Sequence, residues 1–179
     1  MKLIVLDRDG VINHDSAAYI KSPAEWRPIP GGAQAIARLN EAGYHVVVAT
    51  NQSGVGRGMF DMDTLNAIHA KMHATLAQAG ARVDAVFFCP HAAEDKCACR
   101  KPRTGMLEDI GHRFNTSLAG VPMVGDSIRD MQAYTAMGGA PMLVLTGNGR
   151  RTRRDPAFDP ATPVYADLSA AVDALLADA

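Results

Sequence analysis

Two alternating patterns of apolar and polar residues run along the chain. Short, almost continuous apolar runs are typical of strands buried on both faces, and they lie at residues 3–6, 44–49, 85–88, 122–124 and 142–145. Between these runs, apolar residues recur every three or four positions, which predicts helices at residues 33–41, 63–79, 106–114, 129–137 and 168–176. Because strands and helices alternate, we predict an α/β fold with a doubly wound parallel sheet.

The predicted helix over residues 63–79 has the clearest periodicity. Its apolar residues recur at spacings of three and four, and Gly80 follows its end: Leu65, Ile68, Met72 and Leu76. His69 and His73 lie four residues apart on this helix, a spacing that can bind a metal. The segment lacks the glutamate of the zinc-protease motif, so we expect both to be ordinary surface histidines.

Three irregular segments connect these elements, at residues 13–32, 90–103 and 147–163. The first contains Trp26, which we expect to pack its loop against the body of the protein. The last is expected to be a solvated surface loop, because it carries four charged residues: Arg150, Arg151, Arg153 and Arg154. The length of the chain fits a single domain over residues 1–179.

The charge balance limits the partners that the chain could have. It carries 18 Lys and Arg residues against 19 Asp and Glu residues, a formal net charge of −1, which argues against bulk electrostatic binding to nucleic acid or an anionic membrane. The apolar run at residues 3–6 is too short for a signal peptide, and no run approaches the roughly 18 apolar residues of a membrane span. We therefore expect a cytoplasmic protein without nucleic-acid or membrane partners. A monomer is a separate expectation, which these observations do not carry.

Acidic and hydroxyl side chains follow three of the predicted strands. Asp7 and Asp9 come after the first strand, residues 50–53 after the second, and Asp126 after the fourth. The carboxyl ends of parallel strands meet at one edge of a sheet, which is where such folds bind ligands. Several carboxylates at one place suit Mg²⁺. Each aspartate alone could instead be a turn or cap residue, but their convergence favours a metal site.

The same edge has the groups that phosphoryl transfer requires. A carboxylate can act as the nucleophile and form an aspartyl-phosphate. A second carboxylate can protonate the leaving oxygen and then deprotonate a water molecule. Thr50, Ser53 and Lys101 would supply hydrogen-bond donors and positive charge to the phosphoryl oxygens.

The order and spacing of these residues resemble the four motifs of the haloacid dehalogenase superfamily of phosphohydrolases: Asp7-x-Asp9-Gly10-Val11, Thr50, Lys101 and Gly125-Asp126-x-x-x-Asp130. The resemblance implies a doubly wound fold of that superfamily, with Asp7 as the nucleophile and a Mg²⁺ ligand. It implies that Asp9 is the acid/base and binds Mg²⁺ through its backbone carbonyl, and that Asp126 completes the metal site. Thr50 and Lys101 would hold the phosphoryl group, and Asp130 either joins this site or only orients the local turn.

A cluster of cysteines with one histidine lies between the second and fourth motifs. Its four potential ligands fall within eleven residues and fit a tetrahedral, structural Zn²⁺ site in a zinc loop over residues 89–99: Cys89, His91, Cys97 and Cys99. The alternative is three buried free thiols. Arg100 and Lys101 follow the last ligand, so an ordered loop would hold two cations beside the phosphate, with Arg100 binding a phosphate or sugar oxygens.

The zinc-loop pattern narrows the resemblance. Cys-x-His…Cys-x-Cys-Arg-Lys-Pro is similar to the bacterial D-glycero-D-manno-heptose 1,7-bisphosphate phosphatases and to the related histidinol-phosphatase domains. The stretches Thr-Asn-Gln-Ser-Gly at residues 50–54 and Lys-Pro-x-x-Gly-Met at residues 101–106 favour the heptose enzymes. The five-residue gap at residues 92–96 resembles the histidinol phosphatases, and Ser127 stands where the heptose enzymes often have lysine.

The resemblance to the heptose enzymes implies removal of the C7 phosphate and retention of the C1 phosphate, on the route to the heptose of lipopolysaccharide core. It implies no large cap domain and a small phosphorylated sugar as substrate, bound by eight residues: Asp15, Tyr19, Thr50, Asn51, Gln52, Ser53, Arg100 and Lys101. Arg57 would either contact the non-leaving phosphate or be a plain surface residue. The alternative activity is that of a histidinol-phosphate phosphatase. A zinc-stabilised binding module is disfavoured because both Asp7 and Asp9 are present.

Overall fold

The computed structural model describes residues 1–177 and contains one six-stranded parallel sheet. In chain order its strands are β1 (Lys2–Leu6), β2 (Tyr44–Asn51), β3 (Ala85–Cys89), β4 (Pro122–Gly125), β5 (Ala140–Val144) and β6 (Val164–Tyr165). They lie in the order β3-β2-β1-β4-β5-β6, and every neighbouring pair is parallel. The predicted doubly wound α/β fold is confirmed.

Within residues 1–177, seven α-helices accompany the sheet. They are α1 (Gly32–Glu41), α2 (Ser53–Gly56), α3 (Met62–Gln78), α4 (Gly105–Phe114), α5 (Ile128–Ala136), α6 (Gly149–Thr152) and α7 (Leu168–Ala177). Short 3₁₀ turns lie at Pro23–Glu25 and Ala93–Asp95. Within the part of the chain that the structure describes, no helix is both long and apolar enough to cross a bilayer.

Alternate residues of the strands face opposite sides of the sheet and build two separate cores. Ile4 and Leu6 of β1 pack with α1, α3 and α7 on one face, whereas Leu3 and Val5 pack with α4 and α5 on the other. All four side chains are buried, as the continuous apolar run predicted. Trp26 is fully buried in the first core, so its predicted packing role is confirmed.

Periodicity missed two short α-helices and one short strand. Helices α2 and α6 have four residues each and strand β6 has two, and such lengths are too short to show a repeat. The expectation of a surface position for His69 was wrong: it is 8% exposed, whereas His73, one turn later, is exposed as predicted.

The connection of the strands determines where a ligand can bind. Strand β1 is followed along the chain by β2 on one side, while β4 pairs with its other side. The sheet order therefore reverses direction beside β1, and in doubly wound folds a crevice opens at such a point beyond the carboxyl ends of the strands. Asp7 is the first residue after β1, and its backbone N–H donates to the Val124 carbonyl of β4 at 2.9 Å. This places Asp7 in the crevice.

Candidate active site

A polar cavity of about 420 Å³ lies at this crevice. It is lined by all eleven residues predicted as catalytic, substrate-binding or magnesium-binding: Asp7, Asp9, Asp15, Tyr19, Thr50, Asn51, Gln52, Ser53, Arg100, Lys101 and Asp126. The topology brings them together because most follow strands β1, β2 and β4, whose carboxyl ends are adjacent. The volume is in the range of small-ligand sites.

Three carboxylates form the floor of the cavity. One oxygen each of Asp7, Asp126 and Asp130 lies within 4.8 Å of the others, and all three residues are buried. Burial, followed by the charge of Asp130, raises the pKa of Asp7 well above its ordinary value and that of Asp126 to about 7. So much negative charge in a buried place is a suitable donor set for a hard divalent cation.

The backbone approaches Asp126 closely at two glycines. A Cβ at Gly10 would lie 2.1 Å from Asp126 Oδ2, and one at Gly147 would lie 2.2 Å from the same atom. Both glycines also have positive φ angles, +82° and +55°, which other residues rarely adopt. The loops after β1 and β5 can therefore enclose the carboxylate only with glycine at these positions.

Asp130 has two separate roles in the structure. Its Oδ2 accepts hydrogen bonds from the Ser127 N–H and hydroxyl at 3.0 and 2.8 Å, a capping box at the start of α5. Its Oδ1 forms an ion pair of 2.6 Å with Lys101 Nζ. Burial raises the pKa of Asp130, but Lys101 and these hydrogen bonds outweigh it and hold the pKa below its ordinary value. Asp130 therefore does more than orient the local turn.

Lys101 is the cation of the carboxylate cluster. It is 1% exposed, and its Nζ lies 2.6 Å from the Ala49 carbonyl, 2.6 Å from Asp130 and 3.3 Å from Asp7. Burial lowers the pKa of Lys101, but the two carboxylates outweigh it and raise the pKa above its ordinary value, so the ammonium stays charged. The ammonium therefore lies beside Asp7, and the role predicted for Lys101 in holding the phosphoryl group stays a prediction.

Asn51 fixes the backbone that carries Lys101. Its side-chain amide donates to the Lys101 carbonyl at 3.1 Å, and its Oδ1 accepts from the Lys101 N–H at 3.0 Å. Asn51 lines the cavity, but both polar atoms of its side chain serve Lys101. Its contribution to the site is therefore mainly to join the end of β2 to the segment after the cysteine cluster.

The Asp9 carboxylate lies beside the acidic cluster and is held by other groups. It accepts hydrogen bonds from Arg8, from Asn13 Nδ2 at 2.9 Å and from Gln52 Nε2 at 2.9 Å. Gln52 Nε2 also donates to Thr50 Oγ1 at 2.9 Å, which leaves the Thr50 hydroxyl hydrogen free to point into the cavity. The magnesium contact predicted for the Asp9 backbone carbonyl stays a prediction.

The cysteine cluster has the arrangement of a tetrahedral metal site. Cys89 Sγ lies 3.5 Å from Cys97 Sγ and 3.1 Å from Cys99 Sγ, and His91 Nδ1 lies 3.6 and 3.3 Å from Cys89 and Cys99. Zinc–sulfur bonds of about 2.3 Å imply about 3.8 Å between two sulfur ligands of a tetrahedron. All four predicted ligands therefore converge within 4.8 Å of one another, with the sulfur atoms of Cys89 and Cys99 closer than a tetrahedral zinc site would hold them.

Three residues that line the cavity were not predicted from the sequence as site residues. Arg129, Ser127 and Asn148 line the cavity. The Asn148 N–H donates to Asp126 Oδ2 at 2.7 Å, and its side chain donates to Asp15 Oδ2 at 2.8 Å. The prediction that residues 147–163 form only a solvated loop was therefore wrong at this end, although the four arginines after Asn148 are exposed. Arg129 could have been found, because it lies three residues after a motif aspartate at a helix start.

Known proteins match this chain over its full length. The sequence model of the HAD-hydrolase-like family matches residues 98–171. The D-glycero-β-D-manno-heptose-1,7-bisphosphate 7-phosphatase of Bordetella bronchiseptica is 58% identical over 179 residues, which cover 100% of both chains.

Two solved structures are similar to this chain in both fold and sequence. The crystal structure of D,D-heptose 1,7-bisphosphate phosphatase from B. bronchiseptica, complexed with magnesium and phosphate, has a TM-score of 0.98 at 58% identity and covers 100% of both chains. That of the Burkholderia thailandensis enzyme has a TM-score of 0.79 at 49% identity and covers 98% of this chain and 99% of its own.

A sequence identity of 58% over the whole chain shows a common family and not only a common fold. It confirms the resemblance inferred from the motifs and supports the heptose enzymes, not the histidinol phosphatases. This chain belongs to the family of D-glycero-β-D-manno-heptose-1,7-bisphosphate 7-phosphatases, within the HAD-like hydrolases.

Proposed function

We propose that this protein hydrolyses the C7 phosphate of D-glycero-β-D-manno-heptose 1,7-bisphosphate through an aspartyl-phosphate on Asp7. The observation that carries the proposal is the position of Asp7: a buried carboxylate at the tip of β1, 3.3 Å from the Lys101 ammonium, on the floor of a polar cavity. A phosphoryl group placed there would meet a nucleophile and a fixed positive charge together.

The proposed reaction has two steps. In the first, an Asp7 oxygen forms a bond to phosphorus, the bond from phosphorus to the sugar oxygen breaks, and Asp9 gives its proton to that oxygen. In the second, Asp9 takes a proton from a water molecule, whose oxygen attacks phosphorus and releases the Asp7 carboxylate. Lys101 and the Thr50 hydroxyl would stabilise the phosphoryl oxygens in both steps.

We propose that Mg²⁺ binds at the carboxylate cluster, held by Asp7 and Asp126 with the backbone carbonyl of Asp9, and with Asp130 beside them. The ion would neutralise the negative charges that otherwise repel the substrate phosphate. The clustered carboxylates and the raised pKa values of Asp7 and Asp126 support this assignment.

We also propose that the second metal is a structural Zn²⁺ bound by Cys89, His91, Cys97 and Cys99. All four positions of a tetrahedron would be filled by protein ligands, so this ion would take no direct part in the reaction. Its role would be to hold the loop that ends in Arg100 and Lys101.

Three guanidinium groups favour a substrate with a second phosphate. Arg57, Arg100 and Arg129 all line the cavity, although the reaction centre already has Lys101. Arg100 Nη1 is buried and finds no hydrogen-bond partner among residues 1–177. Burial and the charge of Arg129, with a smaller contribution from Arg57, lower the pKa of Arg100, so these charges lie close together. Arg57 already pairs with Glu94 at 3.3 Å. A C1 phosphate would give Arg100 the partner that it lacks, whereas the ammonium group of histidinol phosphate would be repelled by these guanidinium groups.

The experiment that tests the proposed function is a parallel measurement of kcat/KM for the heptose bisphosphate and for histidinol phosphate. We expect the heptose bisphosphate to be preferred by at least about 100-fold, as when a charged site rejects a ligand of the wrong sign. A preference for histidinol phosphate would contradict the proposal.

Replacement of Arg100 by alanine tests the second-phosphate contact. We expect kcat/KM for the bisphosphate to fall by about 100-fold, mainly through KM, because a charge-assisted hydrogen bond is worth about 1.5–3 kcal/mol. Heptose 7-phosphate, which lacks the C1 phosphate, should lose less than about fivefold. Arg113→Ala, at an exposed position on α4, is the matched control. Equal losses for both substrates would show that Arg100 does not recognise the C1 phosphate.

The raised pKa of Asp126 predicts how magnesium binding depends on pH. In the metal-free protein, burial and the charge of Asp130 raise this pKa from 3.8 to about 7. The folded protein binds this proton more tightly than the unfolded chain does. The resulting contribution to the free energy of unfolding is therefore complete below about pH 4 and is lost as the pH rises from about 4 to about 7. Because Mg²⁺ competes with the proton, we expect it to raise Tm by several degrees more at about pH 8 than at about pH 5. Calorimetry would measure this, and equal increases at both pH values would contradict it.

A further inference from the structure

We propose that Arg8 and His69 are positioning residues that hold the Asp9 carboxylate in the orientation for proton transfer. The proposal rests on the function proposed for Asp9 above. Arg8 lies between the two catalytic aspartates in sequence, and alternate residues of an extended chain point to opposite sides. Its side chain does not line the cavity and is fully buried.

Arg8 grips the Asp9 carboxylate at two points. Arg8 Nε donates to Asp9 Oδ1 at 2.9 Å, and Arg8 Nη2 donates to Asp9 Oδ2 at 3.1 Å. A two-point contact between a guanidinium and a carboxylate fixes the plane of the carboxylate as well as its distance. Arg8 thereby sets the direction in which the Asp9 oxygens face the leaving group, together with the amides of Asn13 and Gln52, which donate one hydrogen bond to each oxygen.

His69 fixes the other end of the guanidinium. Arg8 Nη1 lies 3.1 Å from His69 Nε2, on helix α3. Arginine can only donate, so His69 Nε2 must accept and the ring must be neutral with its hydrogen on Nδ1. Burial and the charge of Arg8 lower the pKa of His69 to about 4, which keeps the ring neutral at physiological pH. The Phe88 ring, 6.1 Å away between centroids, packs beside it.

The geometry connects helix α3 to the acid/base group through one buried arginine. Removal of the acceptor at position 69 would leave Arg8 Nη1 without its partner in a buried place, which is unfavourable if nothing moves. The guanidinium would shift to find another acceptor and would turn the Asp9 carboxylate with it. Small errors in the placement of a proton donor strongly reduce its contribution to the rate.

The leaving group of the substrate separates this role from a purely structural one. A sugar oxygen must receive a proton from Asp9 as its bond to phosphorus breaks, whereas a nitrophenolate is weakly basic and leaves without one. The quantity kcat/KM reports the steps up to the release of that group. A fault confined to the orientation of Asp9 should therefore affect the sugar phosphate and spare p-nitrophenyl phosphate.

The test compares His69→Leu, His69→Gln and the control His73→Leu, which changes an exposed histidine one turn along α3. We expect His69→Leu to lower kcat/KM for the sugar phosphate by about 30-fold and for p-nitrophenyl phosphate by less than about threefold. His69→Gln, whose amide oxygen can accept from Arg8, should restore the sugar phosphate activity to within about threefold. Equal losses with both substrates, or no loss in His69→Leu, would overturn the proposal.

Two further variants make the result decisive. Arg8→Lys keeps the charge but cannot contact both Asp9 oxygens and His69, so it should show the same selective loss even if His69→Leu does not fold. Asp9→Asn is the reference for complete loss of the acid. If Asp9→Asn spared the sugar phosphate, the proposed role of Asp9 would fail. If Asp9→Asn were selective while the Arg8 and His69 variants were not, only the positioning proposal would fail.

Discussion

Replacement of Asp7 by asparagine is expected to lower kcat by at least about 10⁴-fold, the scale seen when a covalent nucleophile is removed. The amide cannot form the acyl phosphate that the reaction requires. The fold should survive, because the amide oxygen can still accept the hydrogen bond that the Arg8 N–H gives to Asp7 Oδ1 at 2.7 Å. Steady-state turnover and circular dichroism of the purified variant would measure both quantities.

The same substitution should also change the stability of the metal-free protein. Asp7 is buried beside Asp126 and Asp130, and burial with these charges raises its pKa well above the ordinary value. A neutral amide removes the repulsion, although it also weakens the ion pair with Lys101. We expect Tm without magnesium to stay equal or to rise. Activity within about tenfold of the native protein in a correctly folded Asp7→Asn variant would exclude Asp7 as the nucleophile.

Loss of the proposed zinc should have the second largest effect. Cys99→Ser removes one of four ligands at a place where a structural zinc ion can contribute about 10–16 kcal/mol of apparent binding free energy. The native protein should contain about one zinc per chain and the variant less than about 0.2. Because Lys101 follows Cys99 by two residues, kcat should fall by at least about 100-fold.

Backbone contacts connect the zinc loop, residues 89–99, to the segment that carries Lys101. The Gly105 N–H at the start of α4 donates to the Ala98 carbonyl at 3.1 Å, and a Cβ at Gly105 would lie 2.7 Å from that oxygen. The cysteine loop therefore packs directly against the helix that follows Lys101. Lys96→Ala, an exposed change in the same loop, is the matched control. A zinc-free Cys99→Ser protein with native kcat would contradict the positioning role, and a native protein without zinc would contradict the metal assignment.

The parts of the fold and of the site that depend on local sequence patterns could be predicted from the sequence. Strands β1 and β2 are buried on both faces, so their apolar runs are unambiguous. Asp7 and Asp126 directly follow β1 and β4, and Thr50 lies at the end of β2, so parallel topology brings all three to one edge of the sheet. The four zinc-loop residues lie within one short segment, so their convergence needed no knowledge of the tertiary fold.

Other features depend on contacts between distant parts of the chain. Arg8 and His69 are 61 positions apart in the sequence. Only the tertiary packing brings the His69 ring close enough to accept a hydrogen bond from the buried Arg8. Asn148 reaches Asp126 from a glycine-containing loop with no helical or strand periodicity. The position of Asp130 three residues after Ser127 predicts a helix cap. Its ion pair with Lys101, however, requires the start of α5 to lie beside the segment that follows the zinc loop.

The most direct test of the account is to trap the covalent intermediate. The protein would be mixed with substrate carrying a radioactive C7 phosphate, quenched in acid within milliseconds and digested with trypsin. Cleavage after Lys2 and Arg8 releases residues 3–8, in which Asp7 is the only carboxylate side chain. We predict that this peptide carries the label and loses it to hydroxylamine, as an acyl phosphate does. Label on any other peptide, or product formed with no labelled peptide at any quench time, would contradict the account.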